Sequence, residues 1–238
     1  KLLKSLSHKR AIFQLRVGMM KKDYHFREVC FVKKKKLVYG VGLNDADYQV
    51  QEFTTIVDEN GKKGRKLAWM CPFYLKWTEM LKRCYSPRYQ EIRPTYIGCS
   101  ICGDWSVFSK FKSWMKIQDW EGKELDKDIL FPGNKVYGPA TCAFVDKRVN
   151  TFSTECDASR GKYMIGVSWD SVGNKFRARC RDGSGKQKHI GYFDTELEAH
   201  KAWLAFKLEQ AKILAAEQTD PRVAKALIER YENYVIEE

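Results

Sequence analysis

No run in this sequence comes near the roughly 18 consecutive apolar residues that a membrane-spanning helix needs, so a helical membrane protein is excluded. Histidine is scarce: there are four, and none falls between His25 and His189. The middle of the chain therefore lacks the side chain most often used as a general base. Only one Cys-x-x-Cys pair occurs, Cys99-Ser100-Ile101-Cys102, so a four-thiolate zinc site would draw its other ligands from isolated cysteines such as Cys71, Cys84 and Cys142. Gly40-Val41-Gly42 is followed by no Lys-Ser/Thr and no helix start, which excludes a phosphate loop. Neither an internal repeat nor the aromatic motif of ribonucleoprotein-type RNA binders is present. The first 20 residues hold no long apolar block of the signal-peptide kind; the chain begins with Lys1, and Met19 or Met20 reads as an internal start.

What the sequence does contain is positive charge and planar side chains. The net charge is +13 over 238 residues, and aromatic residues make up 13% of the chain. Residues 1–38 contribute +10, residues 39–153 and 154–194 contribute +3 each, and residues 195–238 carry −3. Such a distribution favours a polyanionic partner. With 44% apolar residues the chain can build one or two cores without staples, so its eight irregularly spaced cysteines read as reduced thiols of an intracellular, cytoplasmic protein.

The spacing of apolar residues predicts an α+β fold. Trp69, Phe73, Tyr74, Trp77, Met80, Leu81 and Cys84 recur at intervals of three and four, the stripe of one helix, and Phe108, Phe111, Trp114 and Met115 repeat it over 106–118. Tyr39–Tyr48 reads as an edge strand and turn. Pro132-Gly133-Asn134 marks a turn, and 141–150 a short helix or strand–helix unit. Residues 153–162 form a linker. Three short strands follow, 163–170, 175–181 and 186–193, separated by turn-forming residues. Thr195-Glu196-Leu197-Glu198 is a capping box that opens a long helix to about Gln218, and Asp220-Pro221 opens a last one. The division is a basic arm at 1–38, a central domain at 39–153, a sheet-plus-helix module at 160–218 and a terminal helix at 219–238.

In the middle strand of that module Phe176, Ala178 and Cys180 alternate with Lys175, Arg177, Arg179 and Arg181. A period of two sends the two sets to opposite faces, one apolar and one cationic. Ala199, Ala202, Trp203 and Phe206 form a helical stripe suited to cover the apolar face, which leaves the arginines open to the phosphates and base edges of a major groove. The runs Gly166-Val167-Ser168-Trp169, Lys175-Phe176-Arg177-Ala178-Arg179 and Ile190-Gly191-Tyr192-Phe193-Asp194-Thr195, with Glu198-Ala199, resemble the plant Apetala/ethylene-responsive-factor DNA-binding domain and its phage relatives over about 50 residues. The resemblance implies a three-stranded antiparallel sheet backed by one helix. It implies double-stranded DNA as partner and places the groove-facing residues at Ser168, Trp169, Lys175, Arg177, Arg179, Gln187 and His189. Ile165 and Ser168 stand where the plant proteins carry arginines, so their base preference does not carry over.

In phages such a module is often joined to a homing endonuclease of the His-Asn-His (HNH) class, a ββα fold that grips one divalent metal. Asp126 and Asn150, with a turn between them, resemble that frame and would hold Mg²⁺, with Asp128 as a third ligand. Lys127 stands where that class has its general-base His; Asp128 or Glu124 is the alternative, and the carboxylates on either side of Lys127 oppose the lowered pKa a lysine base needs. Cys99 and Cys102 are a weak zinc candidate beside the alternative of buried thiols. Two functions follow as expectations: a phage-type, Mg-dependent DNA nicking or cleaving enzyme with a degenerate HNH site, or a catalytically inactive DNA clamp, regulator or inhibitor of a host protein.

Overall fold

A computed structural model describes residues 36–154 and 161–236. The basic arm up to residue 35 and most of the expected linker lie outside the described residues. The fold is α+β. No described helix is long and apolar enough to cross a membrane.

The chain enters through a tight turn rather than an edge strand. Tyr39 and Gly40 both have positive φ (49° and 77°), and in place of a strand ladder the segment has only the isolated bridges Val38 to Gly42 and Leu43 to Val107. Gly42 is needed for close approach, since a Cβ there would fall 2.4 Å from Leu81 Cδ1. Next comes an antiparallel hairpin, β1 (Gln51–Val57) and β2 (Lys63–Met70), which periodicity does not reveal. Its turn is held by Asp58, whose Oδ1 accepts the amides of Asn60 and Lys62, and Gly61 takes φ 75°. The sequence signal for it is Asn60-Gly61.

Helix α1 (Pro72–Tyr85) begins after Trp69, which lies in β2 and is exposed, so this residue leaves the expected stripe. Pro72 sets the boundary, because proline suits a first helical turn and lacks the amide a preceding turn would use. A short α2 (Pro87–Ile92), a two-residue β3 (Ser100–Ile101) and α3 (Phe108–Lys116) follow. Trp77, Trp105, Phe108, Phe111 and Met115 form the first core with Tyr74, Leu81 and Phe144. Burying each large side chain of this kind contributes about 1.5–3 kcal/mol. Trp77 is fully buried, and its Nε1 donates to the Trp105 carbonyl at 2.7 Å, leaving no polar atom stranded.

A compact ββα unit comes next. Strand β4 (Glu124–Asp126) pairs antiparallel with β6 (Ala143–Val145), which runs into α4 (Lys147–Ser153); between them β5 (Val136–Tyr137) pairs in parallel with β3. The C-terminal part holds β7 (Val167–Asp170), β8 (Lys175–Arg181) and β9 (Gln187–Phe193) in one antiparallel sheet, then α5 (Glu196–Ala216) and α6 (Pro221–Glu232). Both expected caps are present. Thr195 and Glu198 make a reciprocal capping box, and Asp220 accepts the Arg222 amide.

Helix α5 serves two packing surfaces. Its first half places Ala199 and Trp203 against the sheet, and Gly166, with φ 83°, lies so close to the Trp203 indole that a Cβ would come within 2.1 Å of it. In its second half Ala211, Leu214 and Ala215 join Val145, Val149, Phe152, Val223, Leu227 and Tyr231 in the second core. The ββα unit and the C-terminal helices are therefore built on one apolar surface, and α6 packs within it rather than standing apart.

Candidate nucleic-acid interface and polar cleft

Strand pairing decides which side chains share a face of the β7–β9 sheet, because directly opposed residues point the same way. Ser168 is opposite Arg177 and Asp170 opposite Lys175; Arg177 is opposite Tyr192, Arg179 opposite His189 and Arg181 opposite Gln187. Ser168, Lys175, Arg177, Arg179, Arg181, Gln187 and His189 are thus brought together. Trp169 is not: it is opposite Phe176 and meets its ring edge-on with centroids 4.8 Å apart, on the other face. The period of two accounts for this, since Trp169 neighbours Ser168 and must point away from it.

Tyr192 also belongs to the cationic face, although strand alternation alone does not single it out. A register shift between Ala178 and Arg179 pairs Ala178 with Gly191 and Arg179 with His189, so that Ile190 has no partner. This bulge puts Tyr192 and His189, three residues apart, on one side, and their rings lie 4.8 Å apart. Gly191 within a strand is the one sequence signal of it.

Opposite this face, Ala178 and Cys180 are buried, with α5 packed on that side. Lys175 Nζ is 2.9 Å from Asp194 Oδ1. Arg177, Arg179 and Arg181 have no carboxylate partner among the described residues. Arg181 is exposed, whereas Arg177 and Arg179 are half-buried. The Ser168 hydroxyl and Arg177 Nε are both shielded from solvent without a hydrogen-bond partner. Like charges held this close repel each other unless an anion lies between them.

The second candidate region is a cleft of about 1040 Å³ whose walls set Asp126, Asp128 and Glu229 against Lys127, Lys135 and Arg230, with Asn150 and His200 also in the lining. Asp126 follows Leu125, which is buried in the first core, so Glu124 and Asp126 project from the opposite side of β4. Asn150 approaches from α4 and donates its amide to Glu124 Oε2 at 2.8 Å. Asp126 Oδ1 accepts the backbone amides of Asp128 (2.7 Å) and Ile129 (2.6 Å). Burial pushes the Asp126 carboxyl above its ordinary pKa, and those two amides partly offset the shift.

Lys127 is tied into its own turn. Its side chain is buried, and Nζ donates to both Asp128 oxygens at 2.6 Å and to the Asn134 carbonyl at 2.8 Å. Asn134 in turn donates to the Lys127 and Val136 carbonyls. These bonds fasten the 127–136 turn. Asp128 is engaged in the same tie, although its side chain is half exposed.

His200, which no motif in the sequence marks, is buried on α5 with Nδ1 2.9 Å from the Ile165 carbonyl and its ring stacked on Trp203. Cys99 is buried and Cys102 half-buried, both as free thiols. Among the described residues no group of three His, Cys, Asp or Glu is placed to hold a metal. No protein-family model matches the chain, and no curated protein or solved structure matches it.

Proposed function

We propose that this chain is a double-stranded DNA-binding protein that lays the β7–β9 face in a major groove. The observation that carries the reading is the row Arg177, Arg179 and Arg181, without carboxylate partners among the described residues and opposite the helix-covered face. Gln187 and His189 flank it as hydrogen-bonding groups for base edges. Arginine pairs with guanine in bidentate fashion, each such pair being worth about 1–3 kcal/mol of discrimination. Replacing Arg177 and Arg179 together by Ala should weaken duplex binding and reduce its salt dependence; unchanged affinity in a gel-shift titration defeats the reading.

A second reading, a phage-type Mg-dependent endonuclease with a degenerate HNH site, is favoured by the desolvated Asp126 carboxyl beside Asn150 in the cleft. The hard donors such an ion would use are Asp126 Oδ2 and the Asn150 amide oxygen, which the turn and Glu124 hydrogen bonds leave uncommitted, on the walls of a cleft roomy enough for the waters Mg²⁺ retains. Bound there, Mg²⁺ would supply an activated water and a counter-charge for the phosphate. The chain's own part is to hold Asp126 by the turn amides and Asn150 by Glu124. The inactive alternative, a DNA clamp, regulator or host-protein inhibitor, is favoured by Lys127, which is fixed in the turn at the position where the HNH class carries its general-base His. Incubating supercoiled plasmid with protein and Mg²⁺ or Mn²⁺ separates the two: nicking that is lost in Asp126→Ala supports the enzyme, and binding without nicking supports the clamp.

A further inference from the structure

The β1–β2 hairpin is the most solvent-exposed regular structure among the described residues. It is anchored at its base, where the Val50 carbonyl accepts the Cys71 amide at 2.8 Å and both residues are buried. Beyond that base, every strand residue except Gln51, Gly64 and Met70 is exposed. The two strands pair only with each other. A two-stranded ribbon alone in water is marginally stable, so one of this length needs something to lie against.

Its surface says what. Lys62, Lys63, Arg65 and Lys66 crowd the tip and the returning strand; they outnumber Glu52, Asp58 and Glu59 of the same hairpin by one, and none has a carboxylate partner among the described residues. Register places Phe53, Val57, Leu67, Lys63 and Arg65 on one face, and Ile56, Trp69 and Lys66 on the other. A ribbon made to lie on a protein partner, or on a second copy of itself, would present one apolar face and one polar face. Here cationic and apolar groups occur on both faces. That suits a ribbon standing between two phosphate walls, with apolar groups turned toward sugars and thymine methyls. A B-form major groove about 12 Å wide admits a two-stranded ribbon, and eight residues give this one a reach of about 27 Å.

We propose that the β1–β2 ribbon is a second DNA-binding element, entering a groove of the same duplex that the β7–β9 sheet reads; this rests on the DNA-binding reading above. The test uses the full chain on a 40-base-pair duplex, comparing wild type with Lys62→Ala/Lys63→Ala/Arg65→Ala/Lys66→Ala over a range of salt. Removing one cation from a phosphate should flatten the slope of log K against log salt by about 0.9, so a fall of roughly 3–4 is expected for the four together. The hydroxyl-radical footprint should shorten on one side while keeping the segment that Arg177→Ala/Arg179→Ala removes. Circular dichroism and thermal unfolding should match the wild type, since the altered side chains are exposed. An unchanged slope and footprint, with wild type still bound, overturns the ribbon's role and leaves the sheet reading standing. Absence of duplex binding by the wild type at low salt overturns both. Should Phe53→Ser/Leu67→Ser turn a sedimenting dimer into a monomer with the salt slope intact, the ribbon is a self-association surface and the proposal fails.

Discussion

Ser168 on β7 and Arg177 on β8 sit directly opposite one another, and the hydroxyl of one and the Nε of the other are both shut off from solvent with nothing to bond to. A buried polar atom left in this state costs about 1–3 kcal/mol. On the DNA-binding reading proposed above, a phosphate or base-edge oxygen that reached both atoms would recover that cost.

Ser168→Ala should therefore leave the free protein as stable as the wild type, or slightly more so, because it deletes an unpaired hydroxyl. The same substitution should weaken duplex binding by up to about tenfold, roughly the worth of one hydrogen bond. Thermal unfolding with and without duplex checks both halves. A variant that loses stability without DNA and binds normally shows that Ser168 has an intramolecular role instead.

Lys127 gives a prediction of opposite character. Lys127→Ala removes the tie to Asp128 and Asn134 and leaves the Asn134 carbonyl without its Nζ donor, so it should destabilise the protein by about 2–3 kcal/mol. Chemical denaturation measures this. A lysine acting as a base would give the reverse pattern, with nicking abolished and the denaturation midpoint unmoved.

Two thiols should be silent. Burial pushes Cys84 and Cys142 up to about 12, so the reactive thiolate is scarce at neutral pH. In the native protein both should resist a thiol reagent at pH 8 and react once denaturant is added, as peptide mapping of the labelled sites would show. Their folded pKa values lie above the unfolded value of 9, so their contribution to stability is complete below pH 9 and fades as the pH climbs toward 12. Melting temperature should fall over that window, and Cys84→Ala/Cys142→Ala should flatten the fall.

The C-terminal half is legible in the sequence because its signals are local. Thr195 and Glu198 cap within one turn, Asp220-Pro221 does the same, and the alternation from Lys175 to Arg181 fixes faces without reference to distant residues. The α+β class and the sheet-on-helix arrangement follow from these alone. Other features depend on neighbours that sequence spacing does not carry. The register shift that brings Tyr192 beside His189 is set by which strand residue is skipped. Lys127 has the sequence surroundings of a surface residue between two carboxylates, and only the turn brings the Asn134 carbonyl onto its ammonium. The β1–β2 hairpin escapes detection because its apolar residues fall on both faces and so give no clean alternation. His200 is invisible as a cleft residue, since only folding carries α5 to the ββα unit.

The 21 residues of α5 contain neither proline nor glycine, and the helix runs unbroken for about 31 Å. Trp203 near one end is clamped to the sheet and Leu214 near the other to the ββα unit. It acts as a tie-bar: the distance and angle between the arginine row and the cleft are set by one rod, so on the DNA-binding reading proposed above the offset along a duplex between the site recognised and the site placed at the cleft would be a ruler written into the chain.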